Sequence, residues 1–429
     1  MDQKVQYKRL GNLLIIASCL MVAFMMASKS VYTAEMVEIL DEFNLQESVF
    51  TLPITVYFII YAVTQLILAV FFHKLNVKLY LILTVALSCV LTVIMALSTG
   101  IVYFGIVLSI NGILQAGLWA GCMSTVTKYL PVCMIPRANT FMTCGFPAGS
   151  VLSYCTASFV VAIDAWWLSF VILGCLFAIV LIFFVVVVSK LEKLPRHVAV
   201  EIDQEVEFKK KGYSTASVNA SKTLMPLKTK GIKIVFYILI GVICFLAYTV
   251  YSSVIDFIPK MLTDTFGMEN SLAIIFAVIV PIGVAFGPIL IIALCEKIRN
   301  YVVISLVAVC GLIGLLVAVL FGYSVNFILA IVLLLATALV TRAVNAIYET
   351  VIVAKMSSQI NAGSFAAYTN ATASFGAAAA PFIMGRTIEA GRAMGIGWDL
   401  SYSLILIEAI VLALFIVMLI AFCVRKKKV

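Results

Sequence analysis

Residues 170–189 read FVILGCLFAIVLIFFVVVVS, a run with no charged side chain and a single hydroxyl, closed by Lys190. An α-helix of about 20 apolar residues crosses the roughly 30 Å hydrocarbon core of a bilayer with every backbone polar group satisfied internally. A strand-built barrel would instead alternate apolar and polar positions in short segments, and no such alternation is present. Residues 301–321 repeat the same pattern. Across all 429 residues, 64% are hydrophobic and 11% charged, against about 45–50% and about 25% in soluble domains. The chain is therefore an all-α membrane protein. Its formal charge of +9 points to no nucleic-acid partner, because in such a composition the placement of charges decides their meaning.

Working outward from this run, apolar segments of spanning length fall near 10–35, 49–72, 78–98, 101–127, 140–163 and 166–189. After a polar stretch they resume near 231–257, 271–294, 301–321, 325–350, 363–386 and 401–424. Twelve spanning helices are expected, as an N-terminal bundle over 1–190, a cytoplasmic linker over 191–230 and a C-terminal bundle over 231–429. The linker carries acidic residues, three lysines and a Ser/Thr/Asn-rich tract. It reads as a solvated tether, with an amphipathic piece lying on the anionic inner leaflet as the alternative. The 11 cysteines are scattered singly without CxxC pairs, which suits small buried hydrophobes. The first apolar stretch has no A-x-A site after a short core, so it reads as a retained helix.

The two halves match each other. Phe43, Glu47-Ser48 and His73-Lys74 recur at one constant offset as Phe266, Asn270-Ser271 and Glu296-Lys297; Trp166 and Leu168-Ser169-Phe170 recur at a slightly longer one as Trp398 and Leu400-Ser401-Tyr402. Duplicated six-helix units are a signature of secondary transporters, with the substrate near the bilayer midplane. All of the 29 Lys and Arg except Lys29, Lys260, Arg342, Arg386 and Arg392 fall on one side of the resulting topology. By the positive-inside rule both termini and the linker are cytoplasmic, in the cytoplasmic (inner) cell membrane.

Several motifs carry a resemblance to the major facilitator superfamily. After helix 2, Ala69, Phe71, His73, Lys74, Asn76 and Lys78 occupy the slots of that superfamily's Gly-x-Leu-x-Asp-Arg-x-Gly-x-Arg loop. Tyr61 and Gln65, Gln115 and Trp119, Arg137 after Pro136, the run Asp256-Phe257-Ile258-Pro259-Lys260-Met261-Leu262, residues 363–367, Gly385 and Gly397-Trp398 continue it. The spacing is most similar to the organophosphate:phosphate antiporter branch, with the anion:cation symporter branch beside it. The resemblance implies a twelve-helix fold of two pseudo-symmetric bundles, alternating access, a central cavity lined by helices 1, 4, 7 and 10, and a gating-loop motif of His73, Lys74, Lys78 and Arg137. The departures matter too. His73 replaces an aspartate, Tyr251 fills the helix 7 arginine slot, and helix 5 has no histidine, which weakens a phosphate ester as substrate and leaves organic carboxylates open.

A charged side chain at a helix centre costs about 2.5–3.5 kcal/mol on insertion scales, so ionisable residues within spans are functional candidates. Lys29 lies about 30 Å of helix beyond Arg9. It is either a cavity cation, with Tyr32 one turn on, or a lysine snorkelling to the outer headgroups. Arg342 is roughly 20 Å from Lys355 and shares a helix face with Asn345 and Glu349; its planar fork suits a carboxylate or phosphate. Asn111, Gln115 and Trp119 form a polar stripe on helix 4. Tyr248, Tyr251 and Ser252 share a face of helix 7, with Asp256 a turn beyond. By the repeat, Ser252 is the mate of Lys29 and Trp119 that of Arg342, so each half brings one cation and the pair is expected to clamp an anion. Expected substrate contacts are thus Lys29, Tyr32, Gln115, Trp119, Tyr251, Ser252, Arg342 and Asn345. Glu349, Asp256 and Glu35 are the coupling or proton candidates, and Glu408 a packing contact. Gly145, Pro147 and Gly149, and Pro281, Gly283, Gly287 and Pro288, allow close packing and bending.

The expected activity is secondary transport of a small organic anion, as antiporter or as proton or cation symporter. Protons, cations or inorganic phosphate serve as coupling ion, a monomer in the lipid bilayer is the working unit, and neither metal nor cofactor is called for. Efflux of lipophilic or cationic compounds is the alternative, and a non-transporting sensor a remoter one. With both histidines outside the helices and no HExxH, GxSxG or P-loop pattern, an enzyme is not expected.

Overall fold

A computed structural model of the chain describes residues 3–71, 74–195, 197–202, 229–288, 290–291, 294, 301–356 and 362–427. Most of the expected linker, 203–228, lies outside the described residues, as do His73 and the repeat positions Glu296-Lys297. The spanning helices of the first half are α1 (Gln3–Ala34), α2 (Glu47–Phe71), α3 (Val77–Ile94), α4 (Ile101–Gln115 continued by Leu118–Tyr129), α5 (Ile135–Val161) and α6 (Leu168–Glu192). Those of the second half are α7 (Lys230–Ile255), α8 (Asn270–Ala277 continued by Ile279–Val284), α9 (Tyr301–Gly322), α10 (Phe327–Ala346), α11 (Ala362–Ala393) and α12 (Asp399–Lys427). α10 runs on through a single π-helical turn, Ile347–Val351. Short helices, Met36–Glu42 and Ile258–Phe266, follow the first helix of each half.

Local signals start these elements where the chain must turn. The side chains of Asn76, Thr229 and Asn326 accept hydrogen bonds from the backbone N–H of Leu79, Ile232 and Ile328, capping α3, α7 and α10 and satisfying donors that helices leave open at their starts. Gly267, at φ 59°, ends Ile258–Phe266 in the left-handed conformation glycine tolerates. On α3, Leu79, Leu83, Leu87 and Val90 form an exposed stripe while Leu81, Val85 and Cys89 are buried. An apolar stripe on the outside is the pattern of a lipid-facing helix.

Eleven of the described helices are long and apolar enough to cross a membrane. The twelfth spanning helix, α11, falls short in hydropathy because it is built largely of Ala, Gly, Ser and Thr. Those small residues let it pack closely on both α2 and α7. α1 packs on α5 just as α7 packs on α11, and α2–α11 and α5–α8 form the seams between the halves. The matching contacts are close: a Cβ on Gly149 would lie 2.1 Å from the Ala23 carbonyl oxygen, and one on Gly376 2.2 Å from that of Phe245. Gly149→Ala is therefore expected to destabilise the first half by about 1–3 kcal/mol, the usual cost of overpacking. Gly105→Ala, inside α4 with nothing within 4 Å of the added atom, should hold or slightly raise the melting temperature in detergent, because alanine favours a helix over glycine, and equal melting of the two variants would contradict the close packing.

Candidate functional site

Between the halves lies a cavity of about 510 Å³. α1 supplies Met25 and Lys29, α2 Phe58, Tyr61, Gln65 and Leu68, α4 Trp119 and Met123, and α5 Thr143 and Phe146. The second half supplies Tyr248, Arg342, Glu349 and, from α11, Thr369, Asn370 and Ser374. Aromatic rings and small side chains form most of the wall, with two cations set into it from opposite halves.

The Lys29 ammonium sits 4.7 Å over the centre of the Phe58 ring, a cation–π arrangement that stabilises a charge away from water. It lies in the electrostatic reach of Asp256, the residue that ends α7. Lys29 thus faces the cavity and does not snorkel to a membrane surface. Arg342 Nη1 donates to Glu349 Oε2 at 3.2 Å, and the guanidinium carbon lies 5.9 Å from the ring centres of both Tyr248 and Tyr251. The spacing of seven residues returns to the same side of a helix, and Glu349 sits in the middle of the π turn, a feature frequent at functional sites.

Other expected residues lie elsewhere. Tyr32 is fully buried inside the first half, donating to the Phe50 carbonyl at 2.7 Å and stacked on that ring at 4.5 Å. Gln115 is also buried there: Oε1 accepts from Tyr57 at 2.8 Å, and Nε2 lies 2.7 Å from Ser28 Oγ and 3.0 Å from Ser88 Oγ. Neither is among the cavity-lining residues. A buried amide needs partners, and the polar stripe of α4 finds them among its own bundle's helices; only Trp119, its ring tilted against Phe146 with centres 5.2 Å apart, turns to the cavity. Asn345 is buried behind the wall with its side-chain nitrogen unpartnered. Glu35 is buried within the first half, accepting a hydrogen bond from Ser169.

At the end of the bundle where α6 stops and α7 starts, the linker end, Lys78 pairs with Glu192 at 2.5 Å. There too Lys74 lies over Phe71 and Arg137 over Phe141. His73 lies outside the described residues.

Two features go beyond the sequence reading. Tyr61 and Gln65, there only part of the superfamily resemblance, line the cavity together with Phe58 at a spacing of i, i+3 and i+7, and that spacing is a usable signal. At the far end of the bundle, bonds join the halves: Arg392 Nη2 lies 2.6 Å and Lys260 Nζ 3.7 Å from Glu47 Oε1, and Asp264 pairs with Lys260 at 2.8 Å and Arg392 at 3.5 Å. The Ser48 N–H donates to Glu389 and Asn270 to Glu38, each at 2.7 Å. These bonds close the far end above Lys29, while the lining residues Leu68 and Met123 lie toward the linker end.

Known proteins share this architecture. A bacterial homologue of the human lysosomal transporter Spinster, in an inward-facing and occupied conformation, is 17% identical, with 96% of each chain covered and a TM-score of 0.69. A D-xylose-proton symporter is also 17% identical, over 94% of this chain and 96% of that one, at a TM-score of 0.69. The nucleoside transporter NupG, as a point mutant, is 15% identical over 95% of this chain and 99% of that one, at a TM-score of 0.67. No curated protein matches the chain. The family model of the Major Facilitator Superfamily matches residues 16–381, which takes in both halves and most of α11. With two six-helix bundles around a central cavity and this match across most of its length, the chain belongs to the Major Facilitator Superfamily, as a multi-pass membrane transporter working by alternating access.

Proposed function

We propose that this transporter carries a small organic anion, a carboxylate in preference to a phosphate ester, across the cytoplasmic membrane with both termini on the cytoplasmic side. The observation that supports it most is that Lys29 and Arg342, from opposite halves, line one cavity. An anion held between them draws the halves together, which is the motion alternating access requires. The Arg342 fork matches a carboxylate in two-point geometry, and Phe58, Tyr61, Trp119 and Phe146 offer packing for an organic body. The resemblance of the helix 2 loop and of residues 256–262 to organic-anion branches of the superfamily agrees with this reading, as does the distribution of Lys and Arg for the orientation.

Counterflow in proteoliposomes tests it, with phenylacetate, gluconate and glycerol 3-phosphate as probes. The carboxylates are expected to exchange, and Lys29→Ala to slow exchange about tenfold or more, the effect of one lost charge contact of about 1.4 kcal/mol. A second reading, transport of lipophilic or cationic compounds, draws on Glu349 and the aromatic wall. Binding of cationic dyes that the three anions fail to displace would select it.

A further inference from the structure

Apart from the central cavity, the first half has one of about 370 Å³ at the linker end, between α3, α4 and α6. That volume is at the lower end of the range of small-molecule sites, about 300–1,000 Å³. Asn76 and Lys78 come from the start of α3, Ser124 and Lys128 from the end of α4, and Phe184 and Val188 from the last two turns of α6. Phe184 and Val188 are buried and give it an apolar floor. None of these residues lines the central cavity.

Cations outnumber carboxylates here. The Lys78 ammonium donates to Glu192 at 2.5 Å and to Ser189 Oγ at 3.3 Å, which uses two of its three donors. Glu192 also accepts from the Tyr129 hydroxyl at 2.8 Å. Lys128 lies over the Tyr129 ring, 5.0 Å from its centre, and among the described residues no carboxylate comes within ion-pair distance of it. One whole cation and one further ammonium donor are therefore open to an anion, with the polar side chains of Ser124 and Asn76 beside them.

The neighbouring surface indicates where that anion comes from. α3 and α6 pack on each other, and each carries an exposed apolar stripe, Leu79, Leu83 and Leu87 on α3 and Ile179, Ile182 and Val186 on α6. On a spanning helix such a stripe meets acyl chains. The cavity lies at the end of both stripes, where α3 begins and α4 and α6 stop, the level at which a span leaves the hydrocarbon for the headgroups. A phospholipid with its chains along the stripes brings its phosphate to the two lysines. A zwitterionic headgroup would add its own cation beside them, so an anionic headgroup is the better match. We propose that this cavity binds the headgroup phosphate of an anionic phospholipid between Lys78 and Lys128, with the acyl chains on the α3–α6 face.

The test titrates lipid-stripped full-length protein in detergent with phosphatidylglycerol or with phosphatidylcholine of the same chains, and counts retained lipids by native mass spectrometry. One phosphatidylglycerol should be held at least about tenfold more tightly than phosphatidylcholine, the scale of one charge-assisted hydrogen bond. Lys128→Gln, which breaks no ion pair among the described residues, should weaken that binding about tenfold by the same measure. Lys233→Gln removes an equal charge from an exposed position near the start of α7, at the same end of the second half, and should leave the binding within about twofold. Equal retention of the two lipids overturns the proposal even if a variant fails to fold. Equal weakening by the two variants overturns it too, because the attraction is then diffuse and not the work of this cavity. Displacement of the lipid by an equal concentration of inorganic phosphate would make the occupant a soluble anion and overturns the lipid assignment. The readout is lipid binding, so the result does not depend on which substrate the central cavity carries.

Discussion

Arg342→Ala should reduce counterflow of a carboxylate at least about 100-fold, the largest effect expected of any single substitution in the cavity. Two losses combine. The substrate loses the only planar fork among the cavity-lining residues, and Glu349 loses its cation. Breaking one side of a buried charge pair costs about 3–5 kcal/mol; with side chains 14% and 19% exposed, the lower end of that range is appropriate here. Arg342→Lys keeps the charge but not the fork, and should recover part of the stability and little of the transport. The double variant Arg342→Ala/Glu349→Gln separates the effects. Removing the stranded carboxylate should restore the melting temperature while transport stays lost. Normal counterflow by Arg342→Ala would remove the two-cation site from consideration, and recovery of transport in the double variant would make Arg342 a structural partner of Glu349 and nothing more.

How much of this was readable in advance follows from the range of each interaction. Arg342 and Glu349, seven positions apart, return to one side of their helix, which the sequence shows, and they pair at 3.2 Å; Asn345, read as sharing that face, is buried behind the wall. The same geometry placed Asn111, Gln115 and Trp119 on one stripe, yet only Trp119 faces the cavity. A polar stripe within a membrane must turn away from lipid, but it is equally sheltered by a cavity and by neighbouring helices. Gln115 chose the latter because Ser28, Ser88 and Tyr57 meet it there, and no rule of sequence spacing brings those residues together. Tyr32 shows the same ambiguity with Phe50. The spanning helices were readable because hydropathy accumulates over about 20 residues, and α11 marks the edge of that signal. It faces α2 and α7 closely, so it needs small residues more than greasy ones. Contacts between halves leave no local trace at all: Glu47 and Arg392 are 345 positions apart.

That far-end cluster governs the second large effect. Glu47 is nearly inaccessible and holds Arg392 and Lys260 together, with Asp264 completing a square of two cations and two carboxylates. Glu47→Gln removes the carboxylate that the first half contributes to this cluster and leaves both cations to Asp264 of their own half. Because the Arg392 side chain is 56% exposed, water offsets part of the loss, and a cost of about 1–2 kcal/mol is the right scale. At 1.4 kcal/mol per factor of ten, the population open at the far end should rise about tenfold, seen as faster hydrogen exchange in peptides spanning 44–52 and 384–398. Gly385→Ala approaches the same closure without touching a charge. Its added Cβ would lie 2.5 Å from Thr51 Oγ1 and 2.8 Å from the Glu47 carbonyl oxygen, across the α2–α11 seam. Overpacking of this kind costs about 1–3 kcal/mol, and separating the halves relieves it. The two variants should therefore raise exchange in the same peptides and differ in their response to salt. High ionic strength should move the wild type only part of the way toward the Glu47→Gln behaviour, since salt reaches the exposed Arg392 but screens the sheltered Glu47 and Lys260 less, and should leave the increment caused by Gly385→Ala intact. Unchanged exchange in both variants would mean that the charged cluster and the α2–α11 contact do not hold the far end shut, and that closure depends instead on the α5–α8 seam, where Ser158 donates to the Ser271 carbonyl.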